Sequence, residues 1–333
     1  MTRLSRLQEV TVLLSSIGRR SQLVGCFRDA FRELGVGGRL IGIDADPENA
    51  PAAHLLDRCY RVPKCGDPTF VNRVLNIGIE EGVCLIVPTI DPELRVYAAT
   101  RQLFQDAGLT VMVSDPQTIK IACDKEETHR WLLANGFPTV RQGTPDEVLA
   151  NASQWKFPLI LKPRCGSASV GVTRINSLSA LKALTEHESD CIVQECAQGA
   201  EHTINVFVEN GRCVCAVPHR RIETRGGEVS KGVTSKNGNI MKLATEIAER
   251  LPGARGALNI QCFVHTEEAI NVIEVNARFG GGFPLANRAG AKFPRWMLES
   301  VLERQSTATS KWEDGLLMLR YDSAAFIHGV GGV

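Results

Sequence analysis

Glu274 and Asn276 stand two residues apart in NVIEVN, and Arg278 follows directly after. In an extended strand, positions two apart share a face. A carboxylate and an amide oxygen then point the same way, with a guanidinium just beyond. Magnesium takes hard oxygen ligands, and a guanidinium grips phosphate oxygens. The trio therefore suits a magnesium-bound polyphosphate. Asn271, Ile273 and Val275 form the other, mainly apolar face, which is expected to pack on a core. Gly280, Gly281 and Gly282 come next and let backbone approach a ligand closely. An ordinary strand with a polar edge and a glycine turn gives the same pattern, so the choice depends on the rest of the chain.

Several upstream stretches bear on that choice. FPLILK ends in Lys162 and is followed by Cys165-Gly166-Ser167-Ala168-Ser169-Val170-Gly171 and the strand VTRI. A small-residue loop between two strands is a hairpin flap whose amides and hydroxyls can cover phosphates. It is not a P-loop, because no G-K-[ST] and no helix follow. Lys125 falls in the first turn of a helix expected from Asp124 to Asn135, against the helix dipole's preference, which hints at an anion. CIVQEC ends in Gln194 and Glu195, and a bend follows. Gln261 lies on the strand before the one carrying Glu274, and a hairpin would bring the two together. The run His219, Arg220, Arg221 leads into a glycine-bearing loop that holds Lys231. Cys213 and Cys215 share a strand face, but no second pair with metal-ligand spacing accompanies them.

Residues 10–118 must position part of this chemistry, and they read as alternating strands and helices. VTVLLSS, RLIGIDAD, VCLIVPT and LTVMVS are strands separated by amphipathic segments, a pattern that implies a parallel sheet covered on both faces. The turn after the first strand is Ser15-Ser16-Ile17-Gly18-Arg19-Arg20, not G-x-G-x-x-G. Asp44 ends the second strand where a ribose-binding acid would sit, yet without the glycines a dinucleotide has no pyrophosphate seat. Ligands of such sheets bind beyond the strand C-termini, which makes Ser16, Gly18, Thr89 and Asp91 substrate-facing candidates beside ordinary turn roles. After Ser114 the pattern changes to antiparallel strands. Asn210-Gly211 marks a hairpin, and LLMLRYDSAAFI looks like a closing strand pair.

The chain has 333 residues, a formal net charge of +1 and 44% hydrophobic residues. That length suits two or three compact units. The charge balance points to neither nucleic acid nor an anionic membrane. No apolar run approaches the ~20 residues of a membrane helix, and the first apolar segment is too short for a signal peptide. The eleven cysteines are expected to be reduced core residues in a cytoplasmic protein.

From about Asp124 to Glu299, and more loosely from residue 10, the chain resembles the ATP-grasp superfamily. It is most similar to the carbamoyl-phosphate-synthase-like branch of carboxylate–amine ligases. The segments carrying the resemblance are CDKEETHRWLLANGFPT, FPLILKPRCGSASVGV, IVQECAQGAEHTINV, NIQCFV and INVIEVNARFGGGFPLANRAG, in that order. The resemblance implies an N-terminal Rossmann-like (pre-ATP-grasp) parallel-sheet domain over 1–118. It then implies a two-subdomain ATP-grasp fold, α/β and α+β, over 119–193 and 194–333. Lys125 and Lys162 match the cations that hold ATP phosphates, and Gly166, Ser167, Ser169 and Gly171 the flap over them. Gln194 and Glu195 match the adenine hinge, and Glu201 the ribose acid. Gln261, Glu274 and Asn276 match the ligands of Mg²⁺ (or Mn²⁺), and Arg278 the arginine that stabilises the transferring phosphoryl group. Lys162 and Arg278 are thus the catalytic candidates.

Two departures matter. A full carbamoyl phosphate synthetase large subunit has two such units, and this chain has one. The C-terminal extension typical of biotin carboxylase and a biotin-carrier motif are both missing. The expected activity is ligation of a small-molecule carboxylate to an amine through an acyl phosphate. Arg220, Arg221 and Lys231 are open candidates for holding the substrate carboxylate. The rivals are a phosphotransferase on the same fold, a non-catalytic nucleotide-binding subunit and, weakened by the missing glycines, a dinucleotide dehydrogenase. A homodimer is one assembly that fits.

Overall fold

A computed structural model describes residues 9–166, 170–186, 190–266 and 269–327. The chain divides into two compact units. One comprises residues 1–113, 292–308 and 319–333, the other residues 114–291 and 309–318.

The first unit is a parallel sheet of β1 (Glu9–Ser15), β2 (Gly37–Asp44), β3 (Arg58–Arg61), β4 (Val83–Pro88) and β5 (Thr110–Val111), in the order β3-β2-β1-β4-β5. Leu13, Leu14, Leu40, Ile41, Leu85 and Ile86 are fully buried, as strands covered on both faces require. Helices α1 (Ser21–Leu34), α2 (Phe70–Glu80) and α3 (Asp91–Asp106) cover them. α1 buries Leu23, Val24, Phe27 and Phe31 along one stripe. Gly38 makes room for it, because a Cβ there would lie 2.2 Å from the Phe31 ring. β3 and α2 are elements that the sequence reading did not anticipate.

The second unit holds two antiparallel sheets. Its helices α4 (Pro116–Ala122) and α5 (Lys125–Ala134) lead into the smaller sheet of β6 (Gln142–Gly143), β7 (Leu159–Pro163), β8 (Thr173–Ile175) and β9 (Cys191–Glu195), ordered β6-β9-β7-β8. Leu159 and Leu161 of β7 face a core with Val148, Trp155, Ile175 and Val193. Strand alternation turns Ile160 and Lys162 to the opposite side.

The larger sheet takes β10 (Ala200–Glu209), β11 (Arg212–Arg225), β12 (Glu228–Thr234), β13 (Gly256–Val264), β14 (Ile270–Asn276) and β15 (Leu317–Leu319), ordered β14-β13-β10-β11-β12-β15. Asn210 and Gly211 join β10 to β11 with φ of 51° and 75°, the left-handed pair of a tight hairpin. The expected closing strand pair is a single strand, β15, and residues 320–327 form none. The β13–β14 register also departs from simple alternation. Gln261 faces Glu274 and Cys262 faces Val272, so Ile273 is an extra, bulged residue.

Candidate functional site

Within the second unit a cavity of about 590 Å³ lies between the two sheets. The smaller sheet supplies Ile160 and Lys162 from β7, Arg174 from β8 and Gln194 and Glu195 from β9. Ile160 is the register partner of both Arg174 and Gln194, so one row across three strands lines that wall. The larger sheet supplies Glu201, Gln261, Phe263, Ile273 and Glu274, and Lys125 and Gly166 complete the rim. The bulge at Ile273 explains why Ile273 and Glu274, neighbours in sequence, both line the cavity. The apolar walls Ile160, Val172, Phe263 and Ile273, and Arg174 beside them, went unnoticed in the sequence. Alternation against the buried Leu159 and Leu161 could have pointed to Ile160.

Lys162 is 6% exposed, and its ammonium makes no hydrogen bond or ion pair among the described residues. Burial pulls its pKa down to about 8, Glu274 opposes the shift and Lys125 adds to it. Lys125 reaches across to the Gly166 carbonyl at 3.0 Å. A staple sets that span. Asp124 caps α5 through the N–H groups of Glu126 and Glu127, and Arg164 donates to its carboxylate through Nε and Nη2 at 2.9 and 2.7 Å. The sequence reading missed this pair, whose members lie 40 residues apart. Ser167 and Ser169 lie outside the described residues. Gly171 has φ 73°, and a Cβ there would come 2.8 Å from the Pro163 ring, so the two arms of the hairpin close tightly.

Gln194 is buried and donates to the Gln142 Oε1 at 2.7 Å, while the Glu195 N–H donates to the Arg141 carbonyl at 3.0 Å. Burial pushes the Glu201 carboxyl above its ordinary range, opposed by its ion pair with Arg221. Arg221 also donates to the Gly227 carbonyl at 2.7 Å. Lys231 pairs with Glu223 at 2.7 Å. Of the three basic candidates, Arg221 and Lys231 are therefore engaged by acids of the sheet, and Arg220 is exposed.

Gln261 and Glu274 sit directly opposite each other, and Asn276 follows on the same strand. The Asn276 Oδ1 accepts from the Arg278 Nη2 at 3.3 Å. Among the described residues no group of three His, Cys, Asp or Glu could hold a metal ion. One carboxylate and two amide oxygens make a poor cage for a bare ion. They fit a magnesium that takes its remaining oxygens from phosphates and water.

On the side where a Cβ would point, the glycine run is packed against the sheet. A Cβ on Gly280 would lie 3.2 Å from Asn259, one on Gly281 2.5 Å from the Glu228 carboxylate, and one on Gly282 2.6 Å from the His219 Nε2. The space is filled by the sheet's own side chains.

In the first unit, Ser16 sits at φ 49° and donates through Oγ to Glu93 at 2.7 Å. Thr89 is fully buried and donates to the carbonyls of Ser15 and Ser16. The Gly18 N–H donates to Asp44 at 2.9 Å, so that acid braces the turn. Asp91 opens α3.

Two family models match the chain. Residues 12–112 match "PylC-like, N-terminal domain", and residues 187–323 match "ATP-grasp in the biosynthetic pathway with Ter operon". Among curated relatives, the arginine-specific large chain of carbamoyl phosphate synthase from Bacillus subtilis is 21% identical over 269 residues, covering 76% of this chain and 25% of the relative. A D-alanine–D-alanine ligase from Methylibium petroleiphilum is 35% identical over 113 residues, covering 31% of this chain and 35% of the ligase. The chain thus spans only a quarter to about a third of the length of these two relatives. Among solved structures, the biotin carboxylase domain dimer of Hydrogenobacter thermophilus 2-oxoglutarate carboxylase, in complex with MgADP, ADP and bicarbonate, superposes with a TM-score of 0.72. It is 17% identical and the match covers 90% of this chain and 71% of that one, a likeness of fold. No helix among the described residues is long and apolar enough to cross a membrane.

Proposed function

We propose, for a chain that belongs to the ATP-grasp superfamily and carries a PylC-like N-terminal domain, an ATP-dependent ligase that joins a small-molecule carboxylate to an amine. The carboxylate oxygen attacks the γ-phosphorus of ATP, ADP leaves, and an acyl phosphate forms. The amine then attacks the acyl carbon, phosphate leaves, and an amide results. The working division is 1–118 for the N-terminal domain, with 119–193 and 194–333 as the two halves of the grasp, although residues 292–308 and 319–333 cluster with the first unit.

One observation carries the reading. Lys162 is a buried ammonium with no partner among the described residues, opening on a cavity that also holds Lys125, Gln261 and Glu274. An unmet buried charge costs free energy that an anionic ligand recovers. Lys162 and Lys125 neutralise phosphate oxygens, while Ile160, Val172, Phe263 and Ile273 form an apolar slot for a base. Glu201 holds the ribose, and Gln194 and Glu195 border the base. Gln261, Glu274 and Asn276 would hold magnesium, which supplies positive charge to the phosphates. Arg278 offsets charge that develops as the phosphoryl group moves. Arg220 would take a carboxylate.

The test is phosphate release with ATP, Mg²⁺ and a panel of carboxylates and amines, with products analysed by mass. Release should require both substrates, and an ¹⁸O-labelled carboxylate should pass one labelled oxygen to phosphate. Label wholly retained in the organic product, or a phosphoryl group attached to a stable alcohol, would replace the ligase with a phosphotransferase.

A further inference from the structure

Asn259 of β13 lies opposite Asn276 of β14 and is 2% exposed. Its Nδ2 donates to the main-chain carbonyl of Arg278 at 3.1 Å. Its Oδ1 accepts from the Asn276 Nδ2 at 3.3 Å. The Asn276 Oδ1 in turn accepts from the Arg278 Nη2 at 3.3 Å. The three bonds form a ring that leaves Arg278 through its backbone and returns through its side chain.

The polarity of every link is forced by chemistry. A main-chain carbonyl only accepts, so the Asn259 amide must turn its NH₂ toward it. The opposite end of Asn259 is then an oxygen, so Asn276 must turn its own NH₂ there. A guanidinium only donates, so it meets the one end that remains, the Asn276 oxygen. Neighbouring groups reinforce the arrangement. Gly280 leaves the space that Asn259 occupies, since a Cβ there would lie 3.2 Å from the Asn259 Cγ and Nδ2. Asn205, the register partner of Asn259 on β10, bonds the His219 Nδ1 at 3.3 Å and is thus engaged on its far side.

We propose that Asn259 is a positioning residue for the metal end of the site. An Asn side chain turned by half a revolution swaps an oxygen that attracts a cation for an NH₂ that repels one. In solution the two orientations are nearly equivalent, and the buried ring selects one. The Asn276 oxygen keeps a second lone pair for an ion while the first accepts from Arg278. The same ring holds the Arg278 main chain beside the strand end, so one residue sets both the amide and the arginine. This role rests on Asn276 being a magnesium donor, as in the ligase reading.

The experiment uses Mn²⁺ as probe and follows free Mn²⁺ by its paramagnetic resonance, with the intact chain and saturating ADP. Asn259→Ala should weaken Mn²⁺ binding by about ten-fold or more, the usual scale for groups that orient metal ligands. Affinity for ADP without metal should stay unchanged. Asn259→Ser, which keeps one hydroxyl for one neighbour, serves as the milder variant should Ala fail to fold. If Asn259 acts through Asn276, Asn259→Ala should add less than about two-fold in an Asn276→Ala background. Mn²⁺ affinity within about two-fold of the parent in Asn259→Ala overturns the positioning role alone, and so does full additivity in the cycle. Loss of folding in both single variants assigns Asn259 to stability and likewise overturns it. No Mn²⁺ binding by the unsubstituted chain with ADP overturns the ligand assignment, and the positioning role falls with it.

Discussion

Glu93 and Glu274 are carboxylates in different units, and their surroundings are opposites. Glu93 is fully buried and saturated. It accepts from the hydroxyls of Ser15 and Ser16 at 2.6 and 2.7 Å and from the N–H groups of Thr89 and Ile90 at 2.6 and 3.2 Å. Burial raises its pKa against all four of those donors. Glu274 lines an open cavity and accepts no hydrogen bond among the described residues. Lys162 shows the open condition on the cationic side, since it is buried yet unpartnered among the described residues, whereas Glu274 is half-buried. A saturated cluster has no capacity left and serves to hold a shape, here the turns after β1 and β4. An unsaturated one retains capacity that water or a ligand can use. Each unmet buried polar group costs about 1–3 kcal/mol, so a fold keeps such groups mainly where function requires them.

The largest test of this contrast is Glu93→Leu. Four donors lose their acceptor at once, and the folded state should lose about 3–5 kcal/mol. Urea denaturation measures it, and a midpoint unchanged from the parent would show that the cluster holds nothing. Glu274→Ala should act in the opposite way. Stability should change little, while ATP turnover falls about 10²–10³-fold, the scale of losing one electrostatic stabiliser. Normal turnover in that variant would remove Glu274 from the metal set.

A pH titration then sharpens the role of Lys162. Burial pulls its pKa down to about 8, and phosphates bound as proposed would favour its charged form. Above that value binding must take up a proton, so ADP affinity should fall as pH rises, by at most ten-fold per unit, about 1.4 kcal/mol. Lys162→Met should bind more weakly and show no such slope between pH 8 and about 10, the range up to the ordinary lysine value. A slope that survives the substitution would assign the titration to another group. The smallest effect is expected at Arg220, exposed on β11 of the larger sheet. Arg220→Ala should shift unfolding by no more than about 0.5 kcal/mol, and a larger loss in thermal denaturation would place it among the sheet's bolted cations with Arg221 and Lys231.

Much of the architecture was legible because it depends on local periodicity. The apolar runs of β1, β2 and β4 predict strands covered on both faces, and alternation in FPLILK places Lys162 opposite the residues that join the core. The order of the five motif segments gave the grasp fold without any knowledge of packing. Other features fell outside that reach. β3 is only four residues long and half exposed, so it carries no periodic signal. The apolar residues at 316–327 suggest a closing strand pair, but only Leu317–Leu319 finds a neighbouring strand to pair with.

The sequence alone determined which residue types the site has and which strand faces most of them occupy, because side-chain direction follows from backbone period. The tertiary structure decided which groups are spent and which remain open. Asp124 is tied to Arg164 across 40 residues, Glu201 to Arg221 across 20 and Asn276 to Asn259 across 17. The bulge at Ile273 is a one-residue register slip between two strands, invisible in either alone. The glycines after Arg278 looked like room for a ligand, and the packed sheet fills that room with Asn259, Glu228 and His219. Hydrogen-bond capacity is consumed by whatever neighbour the fold supplies, and neighbours distant in sequence are fixed only when the sheets close.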